Sequence, residues 1–186
     1  MKKILYFTDM PAPYKVKFLN LLNQTCDLTV YFERELHGDR NKEWIKDNKL
    51  QFKYENIFNV FSCFYKIPLI IYKNKPDFVF NCYYSSIRGI IVAIFCFLLR
   101  IKMIIIADGG IPIKRARIVE FGISKLMNLS YSCFSSGEET NKYFEYYNIT
   151  STKIYNYHFS SLTAQEIYEH EKVHKSVKDN NRFMIL

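Results

Sequence analysis

Between Lys102 and Asp108 the chain reads Met-Ile-Ile-Ile-Ala, with no polar residue to mark an outward face. A strand with one wet side alternates apolar and polar residues; an unbroken apolar run bounded by turn formers is a strand covered on both sides. The same signature stands at Ile4–Phe7, before Thr8-Asp9, and at Phe78–Phe80, after Pro76-Asp77. Asp27–Phe32, Gln51–Ile57, Tyr131–Ser135 and Lys153–Tyr157 read as further strands. Helical spacing fills the intervals: Val16, Phe18, Leu19, Leu21 and Leu22, then Phe61–Tyr72, Ser85–Leu99, Arg115–Leu129 and Gly137–Tyr147. Glu33–Lys49 is polar and reads as a loop with a short helix around Trp44. Helices alternating with doubly covered strands predict an α/β fold, a doubly wound Rossmann-like parallel sheet with right-handed crossovers.

At 186 residues, 49% hydrophobic and 24% charged, the chain has globular composition, which excludes long disorder, fibre and disulfide scaffold. Its five cysteines are odd in number, show no CxxC spacing and mostly sit in apolar runs, which points to a reducing cytoplasm rather than to disulfides or a metal. The most apolar stretch, Gly89–Leu99, covers only about 16 Å as a helix, half a bilayer core. Lengthening it through Ile101–Ala107 would bury Arg100 and Lys102, so it reads as a buried helix followed by a buried strand. Ile4–Phe7 is too short for a signal sequence. The net charge is 26 − 18 = +8, scattered rather than in blocks. No nucleic-acid motif accompanies it, so no nucleic-acid partner is expected; a solvated basic surface, an anionic membrane or phosphorylated ligands fit it.

In a doubly wound sheet, ligands bind beyond the carboxyl ends of the strands, where the strand order reverses. The loops there are Thr8–Tyr14, Asn81–Ser86, Ala107–Lys114 and Ser135–Glu138, polar, small and aromatic, which suits a hydroxylated ligand. Asp108-Gly109-Gly110 follows a buried strand: Asp108 can hold a sugar hydroxyl or act as a base, and the glycines let a backbone come close, although Asp-Gly is also plain turn chemistry. Ser135-Ser136-Gly137 opens a helix whose N–H groups could hold an oxyanion, but Glu138 and Glu139 favour simple capping. Tyr83-Tyr84-Ser85-Ser86 offers rings and hydroxyls for a carbohydrate, or a cap and surface tyrosines. His170 and His174 with Glu169 and Glu171 have helical spacing but no HExxH, so no metal is expected. GxGxxG, GxxxxGK[ST] and GxSxG are all missing.

Several of these pieces stand in a familiar order: Lys3–Asp9 with Pro11-Ala12-Pro13-Tyr14 and Lys15–Asn20, then Ala107–Gly110, Ser135–Thr140 and Tyr155–Leu162. The series resembles the N-terminal half of a family 4, GT-B-fold bacterial glycosyltransferase of the capsular or surface-polysaccharide type. The resemblance implies an acceptor-side Rossmann-like domain over residues 1–162, with 163–186 as a crossover helix and the first strand of a donor-binding domain that is otherwise missing. It implies a retaining sugar transfer to a polysaccharide or lipid-linked acceptor, with Asp108 positioning or polarising the acceptor hydroxyl. Pro13, Tyr14, Tyr84, Ser85, Gly109, Gly110, Ser136 and Gly137 would line the acceptor side of the cleft. No cofactor or metal is implied. The nucleotide-sugar donor would bind only with the missing domain, which a complementing C-terminal chain could supply, and the chain alone is expected to be inactive. The histidine common on the cleft face of such enzymes is not found at Tyr83–Ser86 or near Asp108. Lys15, Lys17, Lys114, Arg115 and Arg117 are expected to attach the domain to the inner face of a membrane. A non-catalytic, partner-binding or membrane-surface subunit of a two-chain glycosyltransferase is the alternative.

Overall fold

A computed structural model describes residues 1–34, 49–57, 59–82, 84, 86–110 and 116–157. Among these residues, seven strands alternate with helices: β1 (Lys3–Thr8), α1 (Pro13–Asn23), β2 (Asp27–Phe32), β3 (Lys53–Asn56), α2 (Val60–Asn74), β4 (Phe78–Asn81), α3 (Ile87–Leu98), β5 (Lys102–Ala107), α4 (Arg117–Asn128), β6 (Ser132–Ser135), α5 (Glu138–Tyr146) and β7 (Ile154–Asn156), the last preceded by a 3₁₀ turn at Ser151–Lys153. All pair in parallel, in the order β3-β2-β1-β4-β5-β6-β7. The doubly wound α/β reading therefore holds. The expected helix around Trp44, the crossover helix and strand expected over residues 163–186, and the boundary at residue 162 lie outside the described residues.

The chain builds the sheet outward from β1 to β3, then returns to the other side of β1 to lay down β4. The strand order reverses between β1 and β4, and the loops after these two strands diverge to opposite faces, leaving a crevice above their carboxyl ends.

Alternation along each strand sends side chains to two cores. Leu5, Phe7, Val79, Met103, Ile105 and Cys133 pack under α2 to α5, against Cys63, Ile67 and Ile71 of α2, Val92 and Cys96 of α3, Met127 of α4 and Phe144 of α5. Ile4, Tyr6, Val30, Phe80, Ile104 and Ile106 pack on the other face, against Val16 and Leu19 of α1. All five cysteines are free, and four of them are buried in the way small hydrophobes are.

Local chemistry sets the helix ends. Pro13 occupies the first turn of α1, where its missing N–H costs nothing. The side chain of Asn59 accepts from the N–H of Phe61 at 2.9 Å and opens α2; Ser86 Oγ accepts from the N–H of Gly89 at 3.2 Å and opens α3. Asn20 and Asn23 on the polar side of α1 hold the approach to β3: Asn20 donates to the carbonyl of Lys49 and accepts from the N–H of Gln51, and Asn23 donates to the carbonyl of Gln51. One expectation is corrected. The segment read as a buried helix is buried on one side only, with Ile94, Phe97 and Leu98 of α3 exposed on the other.

Candidate functional site

At the crevice, the loop after β1 is held from two directions. The N–H groups of Glu33 and Arg34, just past β2, donate to the carbonyl of Asp9, and Glu33 also donates to Thr8. From below, Lys15 in the first turn of α1 donates to Asp9 Oδ1 at 2.6 Å and reaches Thr8 Oγ1 at 3.4 Å. Burial by itself would raise the Asp9 carboxyl, but the bonded Lys15 ammonium outweighs it and holds the acid below the ordinary carboxylate range. Burial would likewise lower Lys15, and Asp9 outweighs that, so the ammonium is held above its usual value. A second ion pair closes the β2 side of the crevice. Arg88, buried in the first turn of α3, pairs with Glu33 through Nη1 and turns Nε toward Cys63 Sγ at 3.3 Å.

On the β5 side, the exposed Asp108 accepts a hydrogen bond from the hydroxyl of Tyr157, which follows β7. Burial, then the bond to Asp108, pushes the Tyr157 phenol up and keeps it a donor. The Tyr157 ring stacks on Phe134 of β6 at 6.4 Å and leans on Phe18 of α1 at 6.4 Å, so it straps the end of β7 across to α1. Beneath lie Cys82 and Tyr6, hydrogen-bonded to each other. Burial pushes the Cys82 thiol up to about 11, so it is no nucleophile at neutral pH.

A second aromatic group stands beside this one. Tyr84 packs against Tyr143 of α5 at 6.1 Å, and Tyr143 meets Tyr147 edge-on at 5.2 Å. Burial first, then Tyr143, pushes the Tyr84 phenol up. Gly110 crosses the face of the same ring: a Cβ there would lie 2.5 Å from Tyr143 Cγ. Gly109 is different, with φ of +134° and open space around it, so its requirement is conformational.

The structure thus sorts the expected site residues. Asp108, Tyr14 and Pro13 border the first cluster, with Lys15 Nζ 5.9 Å over the Tyr14 ring. Tyr84 and Gly110 belong to the second. Gly110 lies against the Tyr143 ring, where a Cβ has no room. Ser136 and Gly137 are half-buried and bonded locally: Ser136 Oγ bonds Thr140 Oγ1 at 3.0 Å, while Ser135 Oγ donates to the carbonyl of Gly137 and accepts from its N–H. Gly137, at φ of 166°, is ordinary extended backbone. Ser85 lies outside the described residues.

Tyr157, Tyr143, Arg88 and Glu33 were not legible as a site, because their partners are far away in sequence. A faint signal existed for Tyr157, a polar aromatic at a strand's carboxyl end. Of the five expected membrane cations, one is corrected. Lys15 points inward onto Asp9 with its side chain 13% exposed, and Lys114 and Arg115 lie outside the described residues. Among the described residues, no three of His, Cys, Asp and Glu stand close enough to hold a metal; all four histidines fall outside them. No helix among the described residues is long and apolar enough to cross a membrane.

The edge therefore offers a carboxylate, a carboxylate–ammonium pair, phenolic hydroxyls kept protonated and several ring faces. Carboxylates, protonated phenols and ring faces are groups able to form hydrogen bonds and stacking contacts.

No family model matches the chain, and no curated protein matches it. Solved structures do. HepE from Anabaena, in complex with UDP and glucose, superposes with a TM-score of 0.62 at 10% identity over 93% of this chain and 50% of that one. The UDP-GlcNAc 2-epimerase of Methanocaldococcus jannaschii, in complex with UDP-GlcNAc and UDP, superposes with a TM-score of 0.60 at 16% identity over 84% of this chain and 46% of that one. The chain spans about half the length of the solved chains it matches. At these identities the likeness is one of fold: a Rossmann-like domain like one half of a GT-B protein.

Proposed function

We propose that this domain is the acceptor-binding half of a retaining glycosyltransferase of GT-B fold, one that moves a sugar from a nucleotide-sugar to a growing surface polysaccharide or lipid-linked acceptor in the cytoplasm, at the inner face of the membrane. The observation that carries the reading is the convergence of Asp108–Tyr157 and Asp9–Lys15 on the crevice between β1 and β4. Asp108 accepts from the acceptor hydroxyl, and Tyr157 fixes the orientation of its carboxylate. The ring faces of Tyr14 and Tyr84 cover the sugar. The nucleotide-sugar meets a second domain across the cleft, and in a retaining transfer its phosphate takes the acceptor's proton.

The test is binding by the full chain, read by saturation-transfer NMR. Mono- and oligosaccharides are expected to bind weakly, with the signal reduced in Asp108→Asn. UDP and GDP are expected to bind no tighter than about 1 mM, roughly −4 kcal/mol. Tighter nucleotide binding would make this the donor half instead. Incubation of the chain alone with any nucleotide-sugar is expected to yield no transfer.

A non-catalytic subunit is the second reading, and one observation favours it. Each shifted group at the crevice is moved away from neutrality: Tyr6, Tyr84, Tyr157 and Cys82 upward, Asp9 downward, Lys15 upward. Saccharide binding that is indifferent to Asp108→Asn would select this reading.

A further inference from the structure

The helices α2 and α3 lie side by side over the sheet, and large apolar side chains stand on their outer faces as well as their inner ones. The inner stripe of α2 is Cys63, Ile67 and Ile71, fully buried; outward it shows Phe61 at 85%, Tyr65 at 62% and Tyr72 at 63% exposure. Phe97 and Leu98 of α3 stand out by 61% and 63% beside them. A shallow groove of about 450 Å³ runs between the helices, lined by Phe64, Tyr65, Leu69, Tyr72, Phe95 and Leu99. An aromatic patch of this extent on a globular domain marks an interaction surface rather than a solvated face.

Along α2, α3 and the turns that end them, every charged residue is basic. From Val60 to Ile101 the only acid in the sequence is Asp77, and it is held at the amino edge by Lys2 Nζ at 2.8 Å and the N–H of Lys3 at 2.9 Å. Lys66, Lys73, Lys75 and Arg100 are exposed. Lys75 and Arg100 end α2 and α3 in the left-handed conformation, at φ of 43° and 56°, where glycine or asparagine is usual. The chain thus sets cations at both helix ends against a local backbone preference. A two-fold contact between copies would press these basic rims together with no acid to meet them. An anionic bilayer meets them with phosphates, and its headgroup region is where Tyr and Phe rings partition.

We propose that the outer face of α2 and α3 docks this domain on an anionic lipid bilayer, α2 lying in the plane of the headgroups over its length of about 22 Å. The rings of Phe61, Phe64, Tyr65 and Phe97 enter the interface, and Lys66, Lys73, Lys75 and Arg100 lie over lipid phosphates. This placement rests on the exposed side chains and not on the sugar-transfer reading.

The test is co-sedimentation of the full chain with phosphatidylglycerol vesicles, set against phosphatidylcholine vesicles. Binding is expected to the first, to fall with added salt, and to be absent from the second. Lys66→Gln with Lys73→Gln is expected to weaken binding roughly thirtyfold, and Phe64→Ser with Phe97→Ser about tenfold or more. These side chains are exposed, so circular dichroism is expected to show the fold intact. Lys17→Gln with Arg117→Gln is expected to change nothing; a loss there, with α2 and α3 variants unaffected, would move the contact to the crevice and overturn the proposal. In a Trp44→Phe background, Phe64→Trp reports the occupant directly. Emission of a solvated indole that shifts blue only with anionic vesicles supports the proposal. Blue emission without vesicles overturns it, in favour of a second copy if it depends on concentration and of the chain's own covering if it does not.

Discussion

Gly110 shows how far a residue's role depends on one neighbour. An alanine there would drive its Cβ into the Tyr143 ring, which is buried and packed between Tyr84 and Tyr147. Gly110→Ala is expected to lower stability by roughly 1–3 kcal/mol, the usual cost of overpacking. In a Tyr143→Leu background the same change is expected to cost nearly nothing, and urea melts of the four proteins measure the coupling. Asp108 was singled out by sequence because Asp-Gly-Gly follows a buried strand. Its partner Tyr157 was not, since nothing local marks a hydroxyl that arrives from the far edge of the sheet. Tyr157→Phe is expected to cost only about 0.5–1 kcal/mol in thermal melts, because the exposed Asp108 rehydrates when its donor is removed.

Among the elements, α2 carries two departures from helical preference. Pro68 stands inside it, removing one N–H and crowding the carbonyl of Phe64 one turn back. Pro68→Ala is expected to raise stability by up to about 3 kcal/mol. Lys75→Gly at its left-handed end is expected to add about 0.5–1 kcal/mol, and to weaken vesicle binding if that face meets lipid. Gly122 in α4 has open space where a Cβ would stand, so Gly122→Ala is expected to stabilise by about 1 kcal/mol. Guanidinium melts of the three variants check these signs. The elements themselves were legible because each strand is an apolar run and each helix has a periodic apolar stripe. The outer face of α3 was not legible: eleven nearly unbroken apolar residues read as full burial, whereas one side lies open among the described residues.

The whole molecule has a pH limit on the alkaline side. Burial pushes Cys82 from 9.0 to about 11, Cys96 from 9.0 to about 12 and Tyr31 from 10.0 to about 12, and it raises the Tyr6 phenol well above 10.0. The unfolded chain releases these protons first, so above about pH 9 it binds fewer protons than the folded one and stability falls with rising pH. The stability contribution of these groups is expected to be fully present below pH 9 and to drain away toward pH 12, which thermal midpoints across that range would show. A flat profile would mean that the thiols and phenols are more hydrated than their burial implies. Asp9 works in the opposite direction, since its depressed carboxyl adds stability at neutrality that is lost on acidification through its own lowered range. On this scale the division of labour is plain. Residue order alone is enough to read the seven described strands, the helices between them, the parallel sheet and the four loops at its carboxyl edge, because burial and periodicity are written locally along the chain. It takes the folded chain to show that Lys15 turns in to Asp9, that Tyr157 crosses to Asp108, that Gly110 lies against Tyr143 and that α2 and α3 share an open aromatic face. Those facts depend on distances between residues far apart in the chain, which the strand order β3-β2-β1-β4-β5-β6-β7 sets and no local pattern encodes.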